Sequence, residues 1–244
     1  MAGNFIFGHT CPTFTVTATS SATDYTCSDL AIFTNLRRCW RSTSTSQQTL
    51  DFTFSSSQAV VGVVIDDTNF TAIKVGATDY TISKDTRVNR YKIYADKTST
   101  GSTFQIIVPT QTPTDGNSFF RIGRIMFIVS ANKILLNQNI SWPYPANAEQ
   151  PYLKIPFESG GIEIVRLGDY FAFSCSMKFS YANRTTEGQI LALNTVHMNT
   201  PIVLYENISD TSKVYVCYKE GSIEVTELTS DVVSINSFKF MEYI

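Results

Sequence analysis

The chain has 244 residues, its charged side chains make up only 16% of the total, and its formal net charge is -2. A chain of this length buries roughly 70% or more of its unfolded surface without help from a disulfide or a metal. Its charge content lies well below the ~25% of an ordinary globular protein, so there is no strong field to steer nucleic acid or an anionic membrane.

The opening segment, MAGNFIFGHT, has an apolar patch of only Phe5, Ile6 and Phe7, without a basic lead or a small-residue cleavage site, and is read as no secretory signal. The longest apolar runs, AVVGVVI and IMFIV, fall far short of the ~20 residues that cross a bilayer, so no membrane insertion is expected. Five cysteines, Cys11, Cys27, Cys39, Cys175 and Cys217, form no C-x-x-C pair and read as reduced packing residues of a protein made in a cytoplasm. Glycosylation sequons at Asn69, Asn139, Asn183 and Asn207 are read as chance products of an Asn-, Ser- and Thr-rich chain.

From 1 to 140 the sequence runs in short strands between Ser/Thr/Asn/Asp/Gly clusters, the pattern of an all-β sandwich or barrel. NLRRCWRST sets Trp40 among Arg37, Arg38 and Arg41. In a β-sandwich such a Trp plugs the core while its arginines hydrogen-bond the sandwich end; the competing reading is an exposed stacking platform. In TLDFTF, Leu50, Phe52 and Phe54 alternate with polar residues, so one face is buried and one is wet. AVVGVVI, apolar at nearly every position, should be covered on both faces. RYKIYAD, TFQIIVP and FFRIGRIMFIV are further strands, with KTSTGST and PTQTPTDGNS as loops.

Pro143, Pro145, Pro151 and Pro156 mark 141–157 as an extended linker or wrapping arm, and the domain boundary is placed near residue 140. In 158–244 a hairpin is expected to turn at Leu167-Gly168-Asp169, followed by a strand in which Phe171, Phe173, Cys175, Met177 and Phe179 share a face. Thr186 with Gln189 has the form of a capping box, predicting a helix over about 185–199 with Ile190, Leu193 and Val196 on one side. Strands follow in IVLYENI, KVYVCYKEGSIEVTEL and SFKFMEYI, with Glu220-Gly221 as a hairpin turn.

Chemistry is sparse in this sequence. His9 and His197 have no metal-ligand spacing, and there is no phosphate-cradling glycine loop and no nucleophile elbow; catalytic residues, a metal and a cofactor are therefore not expected, and the chain is read as a non-enzyme. Asp66 and Asp67, with Asn69, end a buried strand, where carboxylates hold Ca²⁺ or hydrogen-bond sugar hydroxyls; the plainer reading is a solvated turn with an Asx cap.

Taken in order, NLRRCWRST, TLDFTF, AVVGVVIDDTNF, YKIYAD and SFFRIGRIMFI resemble the discoidin or galactose-binding-like sandwich found in tail proteins of tailed bacteriophages. The position of that family's turn histidine is held here by Asp67-Thr68-Asn69-Phe70. The remainder, an ESGG arm, a long alternating strand, one helix and a terminal FKFMEYI, is similar to the distal-tail and tail-tube domain. The resemblance implies a mainly β chain: a galactose-binding-like jelly roll at 1–140, then an antiparallel β domain with one α-helix. It further implies a virion tail part made in the host cytoplasm, assembling as a homo-oligomeric ring, hexamer or trimer, that links tail tube to hub or fibres. A host surface glycan is the alternative partner, met through Asp66, Asp67 and Asn69, and no nucleic acid contact is required. Trp142, Tyr144 and Tyr152 on the arm are the expected assembly anchors.

Overall fold

A computed structural model describes residues 6–33, 38–136, 146–149, 152–156, 162–166, 171–196, 200–206 and 210–243, the side chains of 149, 152–156 and 162–166 excepted. In chain order the strands are β1 (Ile6–His9), β2 (Phe14–Ala18), β3 (Trp40–Arg41), β4 (Gln48–Thr68), β5 (Ala72–Val75), β6 (Thr78–Thr81), β7 (Ser83–Asp85), β8 (Arg90–Ala95), β9 (Ser99–Val108) and β10 (Arg121–Val129). They continue as β11 (Lys133–Leu135), β12 (Ala146–Glu149), β13 (Tyr152–Pro156), β14 (Ile162–Arg166), β15 (Ala172–Asn183), the helix α1 (Arg184–Leu191), β16 (Ile202–Tyr205), β17 (Val214–Glu220), β18 (Val225–Glu227) and β19 (Val232–Glu242). The protein is mainly β, as the residue pattern predicts.

β4 organises the first sheet. Its first half lies between β2 and β9, its second half between β10 and β8, and the register breaks at Thr53/Gln58, where the polar run FSSSQ lets the strand bend. One hydrogen-bonded sheet thereby supplies both layers of a sandwich. Between them Phe127 of β10 meets Phe52, Phe54, Phe104 and Phe14 with ring centroids 5.0, 5.1, 5.2 and 5.4 Å away, in edge-to-face arrangements that aromatic quadrupoles favour.

The second sheet runs β11-β1-β16-β17-β19-β15-β12, with β18 beside β19. β1 and β11 thus come from the stretch 1–140 but hydrogen-bond into the sheet that the C-terminal half builds. The alternation of β1 explains its place: Ile6 faces the first sheet and Phe7 the opposite core. β16 and β17 alternate likewise, Val203, Tyr205, Val214 and Val216 toward the first sheet and Ile202, Leu204 and Cys217 into the second core, which the Tyr215 ring joins while its hydroxyl reaches Asp85 of β7. The second half of β4, with β8 and β10, is therefore covered on both faces, which accounts for the unbroken apolar runs there. Two glycines permit the close approach: a Cβ on Gly62 would lie 2.5 Å from the Tyr94 hydroxyl, and one on Gly8 would lie 2.6 Å from Ile128.

Several expectations change. KTSTGST is mostly strand, because Ser99, Thr100 and Gly101 pair with Val60, Ala59 and Gln58 of the bent β4. The described parts of the arm are paired strand: β12 lies against β15 and β13 against β14. Among the described residues β14 pairs with β13 and not with β15. Gly221 adopts φ +75°, yet β18 pairs with β19 rather than β17, so no two-residue hairpin forms there. The helix is shorter than predicted, closing at Leu191 and passing into a 3-10 turn, Ala192–Thr195. Its cap is Asn183, whose side chain accepts from the Thr186 N–H at 2.8 Å; Thr186 is buried inside the first turn instead of capping it. The expected turn at 167–169, Trp142, Tyr144 and His197 lie outside the described residues, and Tyr152 is described only as a β13 backbone position.

Candidate functional site

The turn after β4 brings Asp67 and Asn69 together with Arg121 and the loop 109–120. Asp67 takes φ +56° where the pairing of β4 with β8 shifts register, a bulge that turns its side chain toward Arg121. Its Oδ1 accepts from Arg121 at 3.0 Å. Asn69 Nδ2 donates to both oxygens of Asp115 and to the Phe119 carbonyl, while its Oδ1 accepts from the Arg121 N–H at 2.7 Å. Asp66, Asp67 and Asn69 are 1%, 2% and 1% exposed. None of the three therefore faces solvent; Asp67 and Asn69 brace the loop that does.

What the brace presents is Phe119, Asp115 and Asn117, beside Arg41 and Tyr25. The Arg41 guanidinium lies 3.6 Å from the Tyr25 ring centroid and 5.1 Å from that of Phe119. Trp40, fully buried next to it, donates to the Ser20 carbonyl at 3.0 Å and to Ser21 Oγ at 3.1 Å. Trp40 is thus the core plug and Arg41 the aromatic-stacked neighbour. On the outer face of β2, β4 and β9, Thr15, Thr53 and Thr103 form one row and Thr17, Asp51 and Gln105 the next, and Asp51, Thr53, Thr103 and Gln105 line a groove of about 510 Å³.

Behind this end lies a buried charged seam between the two sheets. Arg124, Asp66 and Lys92 form one cross-strand row on β10, β4 and β8, and Met126, Val64 and Tyr94 form the next, so ions and apolar groups share one face. Arg124 uses all five donors: Nε and Nη2 to Asp66, Nη2 also to Glu242, and Nη1 to the carbonyls of Phe33 and Tyr243. Glu242 also accepts from Arg90 and from the Phe173 N–H. Burial alone would raise the Asp66 carboxyl, but the Arg90 and Arg124 guanidiniums hold it down to about 2.

The second cluster centres on Asp85, which accepts from Lys213, Tyr215 and the Arg87 N–H, while Arg87 forks onto Glu206. Burial opposes ionisation of Asp85 too, yet Lys92 and its hydrogen-bond donors keep it well below the usual carboxylate range. Lys92, fully buried, has Nζ 3.3 Å from Asp85 Oδ2 and 3.6 Å from the Tyr215 ring centroid, and desolvation lowers its pKa to about 8. Arg90, Lys92, Arg124 and Glu242 were not candidates from the sequence. The available signal was a charge two positions from an apolar residue in strands with both faces buried, as in RYKIY and RIM.

Elsewhere, His9 is half-buried with Nδ1 3.0 Å from Thr10 Oγ1, and burial lowers its pKa. Among the described residues no cluster of His, Cys, Asp and Glu could hold a metal ion, and no helix is long and apolar enough to cross a membrane. All five cysteines are free thiols.

No protein-family model and no curated protein matches the sequence. Among solved structures the chain is similar to the family 32 carbohydrate-binding module of C. perfringens NanJ in complex with galactose, at 15% identity and a TM-score of 0.36, covering 50% of this chain and 98% of that one.

Proposed function

We propose that the protein is a structural, non-enzymatic part of a tailed-phage tail tip or baseplate, which works by holding copies of itself in a ring and joining the tail tube to hub or fibre proteins. The motif series from NLRRCWRST to SFFRIGRIMFI and the terminal FKFMEYI suggest the setting. One observation carries the assembly part. The large apolar side chains left exposed among the described residues, Leu135, Tyr181 and Leu228 at 46%, 75% and 47%, all lie in or beside strands of the second sheet. Tyr181 is thrown outward where the pairing of β15 with β19 shifts register. A bulge that aims an aromatic ring at solvent suits an interface anchor.

Light scattering and native mass measurement on the purified chain test the reading. A closed oligomer is expected at micromolar concentration, and Tyr181→Asp should shift it toward monomer. A monomer that also fails to join tail proteins on co-expression overturns the reading.

A second reading, receptor recognition through a host surface glycan, is favoured by the loop end. There the Arg41 guanidinium lies over the Tyr25 ring and near that of Phe119, and the same loop carries the exposed polar groups of Asp115 and Asn117. The recognising residues would be Tyr25, Arg41, Asp115, Asn117 and Phe119, with Asp67 and Asn69 bracing them. Binding on a glycan array, lost in Phe119→Ala with assembly intact, supports it; an array without signal excludes it.

A further inference from the structure

Arg41 differs from the other arginines of the interior. The buried or half-buried arginines whose side chains are otherwise described each have a carboxylate within 4 Å: Arg87 has Glu206, Arg90 and Arg124 have Glu242 and Asp66, and Arg121 has Asp67. Arg41 is half-buried as well, yet its side-chain contacts among the described residues are the Tyr25 and Phe119 rings and the neighbouring Cys39, with no carboxylate among them. Its Nε is buried without a hydrogen-bond partner.

Withdrawing a guanidinium from water without pairing it is costly, and contact with aromatic rings recovers only part of that cost. With Nε buried, the part that can act is the Nη1/Nη2 edge, whose parallel N–H groups match two oxygens of a carboxylate or phosphate. Cross-strand position adds to the imbalance. Arg41 stands directly opposite Arg121, and like charges so placed repel. Asp67 pairs with Arg121 at 3.0 Å, whereas no carboxylate among the described residues forms an ion pair with Arg41, and exposed Arg38 is close by in the chain.

We propose that Arg41 receives an oxyanion, and that the ligand at this end of the sandwich is an acidic polysaccharide whose uronate or phosphodiester groups it grips, with Tyr25 and Phe119 holding the fork in place. The inference rests on the glycan reading above and deepens it. Uronate and phosphodiester offer the same oxygen geometry to the fork, so the two are separated by experiment.

The test is titration of the whole chain with oligogalacturonate, with poly(glycerol phosphate) and with neutral dextran, at low and high salt. Acidic probes should bind and dextran should not, and the affinity should fall with salt. Arg41→Gln should weaken acidic binding by about tenfold or more, the loss of a charge-assisted pair, and Arg41→Lys should fall between. Thermal melting of both variants checks that the fold survives. Preference for one acidic probe identifies the group bound. Equal binding of dextran and acidic probes, or an Arg41→Gln variant that binds like the parent, overturns the inference while leaving the glycan reading standing. A chain that binds neither these probes nor any member of a glycan array overturns both.

Discussion

Lys92 is where the charged seam is least comfortable. Among the described residues, Asp66, Asp85, Glu206 and Glu242 face Arg87, Arg90, Lys92, Arg124 and Lys213, four acids to five bases. The arginines keep their protons, being intrinsically basic and forked onto carboxylates, which makes the desolvated amine the group that yields. The sign follows from linkage: with a folded pKa of about 8 and an unfolded one of ~10.4, the unfolded chain binds an extra proton between those limits. Lys92 therefore costs stability in full below pH 8, on the order of 3 kcal/mol, and the cost disappears as pH rises toward ~10.4. The buried thiols and phenols, such as Cys217 and Tyr215, have raised pKa values and act in the opposite sense, so the comparison to make is with a variant. Relative to Lys92→Met, whose Asp85 retains Lys213 and Tyr215, the parent should gain stability as pH rises from about 8 toward ~10.4, by the cost that the desolvated amine sheds. Melting curves from pH 6 to 10 decide it; a less stable variant with a pH-independent difference would mean that Lys92 is paired more tightly than its geometry indicates. Asp66 works the other way, its contribution being present above ~4 and lost as pH falls toward about 2.

At the scale of elements, strands with one wet face were the easiest to find in the sequence. Leu50, Phe52 and Phe54 are buried while Asp51 and Thr53 are exposed, the period-2 reading in full. KTSTGST misled because Ser, Thr and Gly mark loops by composition, yet the same residues suit a strand margin whose partner is bending away. The helix start is masked for a similar reason: Asn183 ends β15 and doubles as the cap, so the capping-box pattern of Thr186 and Gln189 lies three residues inside the true start. Phe127 carries a stronger lesson, since nothing in IMFIV distinguishes it from its neighbours. Only the bend in β4 makes it the ring on which four others converge. Phe127→Ala should cost about 3–5 kcal/mol, against about 0.5–1.5 for Ile125→Val in the same strand, as read from denaturant midpoints. A Phe127 variant as mild as the Ile125 one would show that the two layers collapse onto the gap.

The largest features were the least legible, because they depend on which strands meet. Reading 1–140 as a sandwich and 158–244 as a separate antiparallel β domain treats hydrophobic faces as closed within each stretch, whereas β1 and β11 hydrogen-bond into the second sheet and the charged seam crosses between the two sheets. A single sequence does not say that Glu242, two residues from the end, answers Arg90 and Arg124. The same blindness explains why Asp66 and Asp67 were candidates for a ligand: acidic residues ending a strand look alike whether water or a buried arginine lies beyond. The seam has a consequence for the whole molecule. If Arg124 binds Asp66 of its own sheet together with Glu242 and the Tyr243 carbonyl of the other, neither sheet can unfold without leaving buried charge unpaired in its partner, and unfolding should be one cooperative transition. Arg124→Met strips the pairing while keeping volume, leaving the Phe33 and Tyr243 carbonyls without donors. It should lower stability by about 3–5 kcal/mol and broaden or split the calorimetric transition, because the sheets then depend on each other only through their apolar rows. Two transitions in the parent protein, or an Arg124→Met variant that still melts as sharply and as high, would mean that Val64, Tyr94, Met126 and Ile128, and not the ions beside them, hold the sheets together.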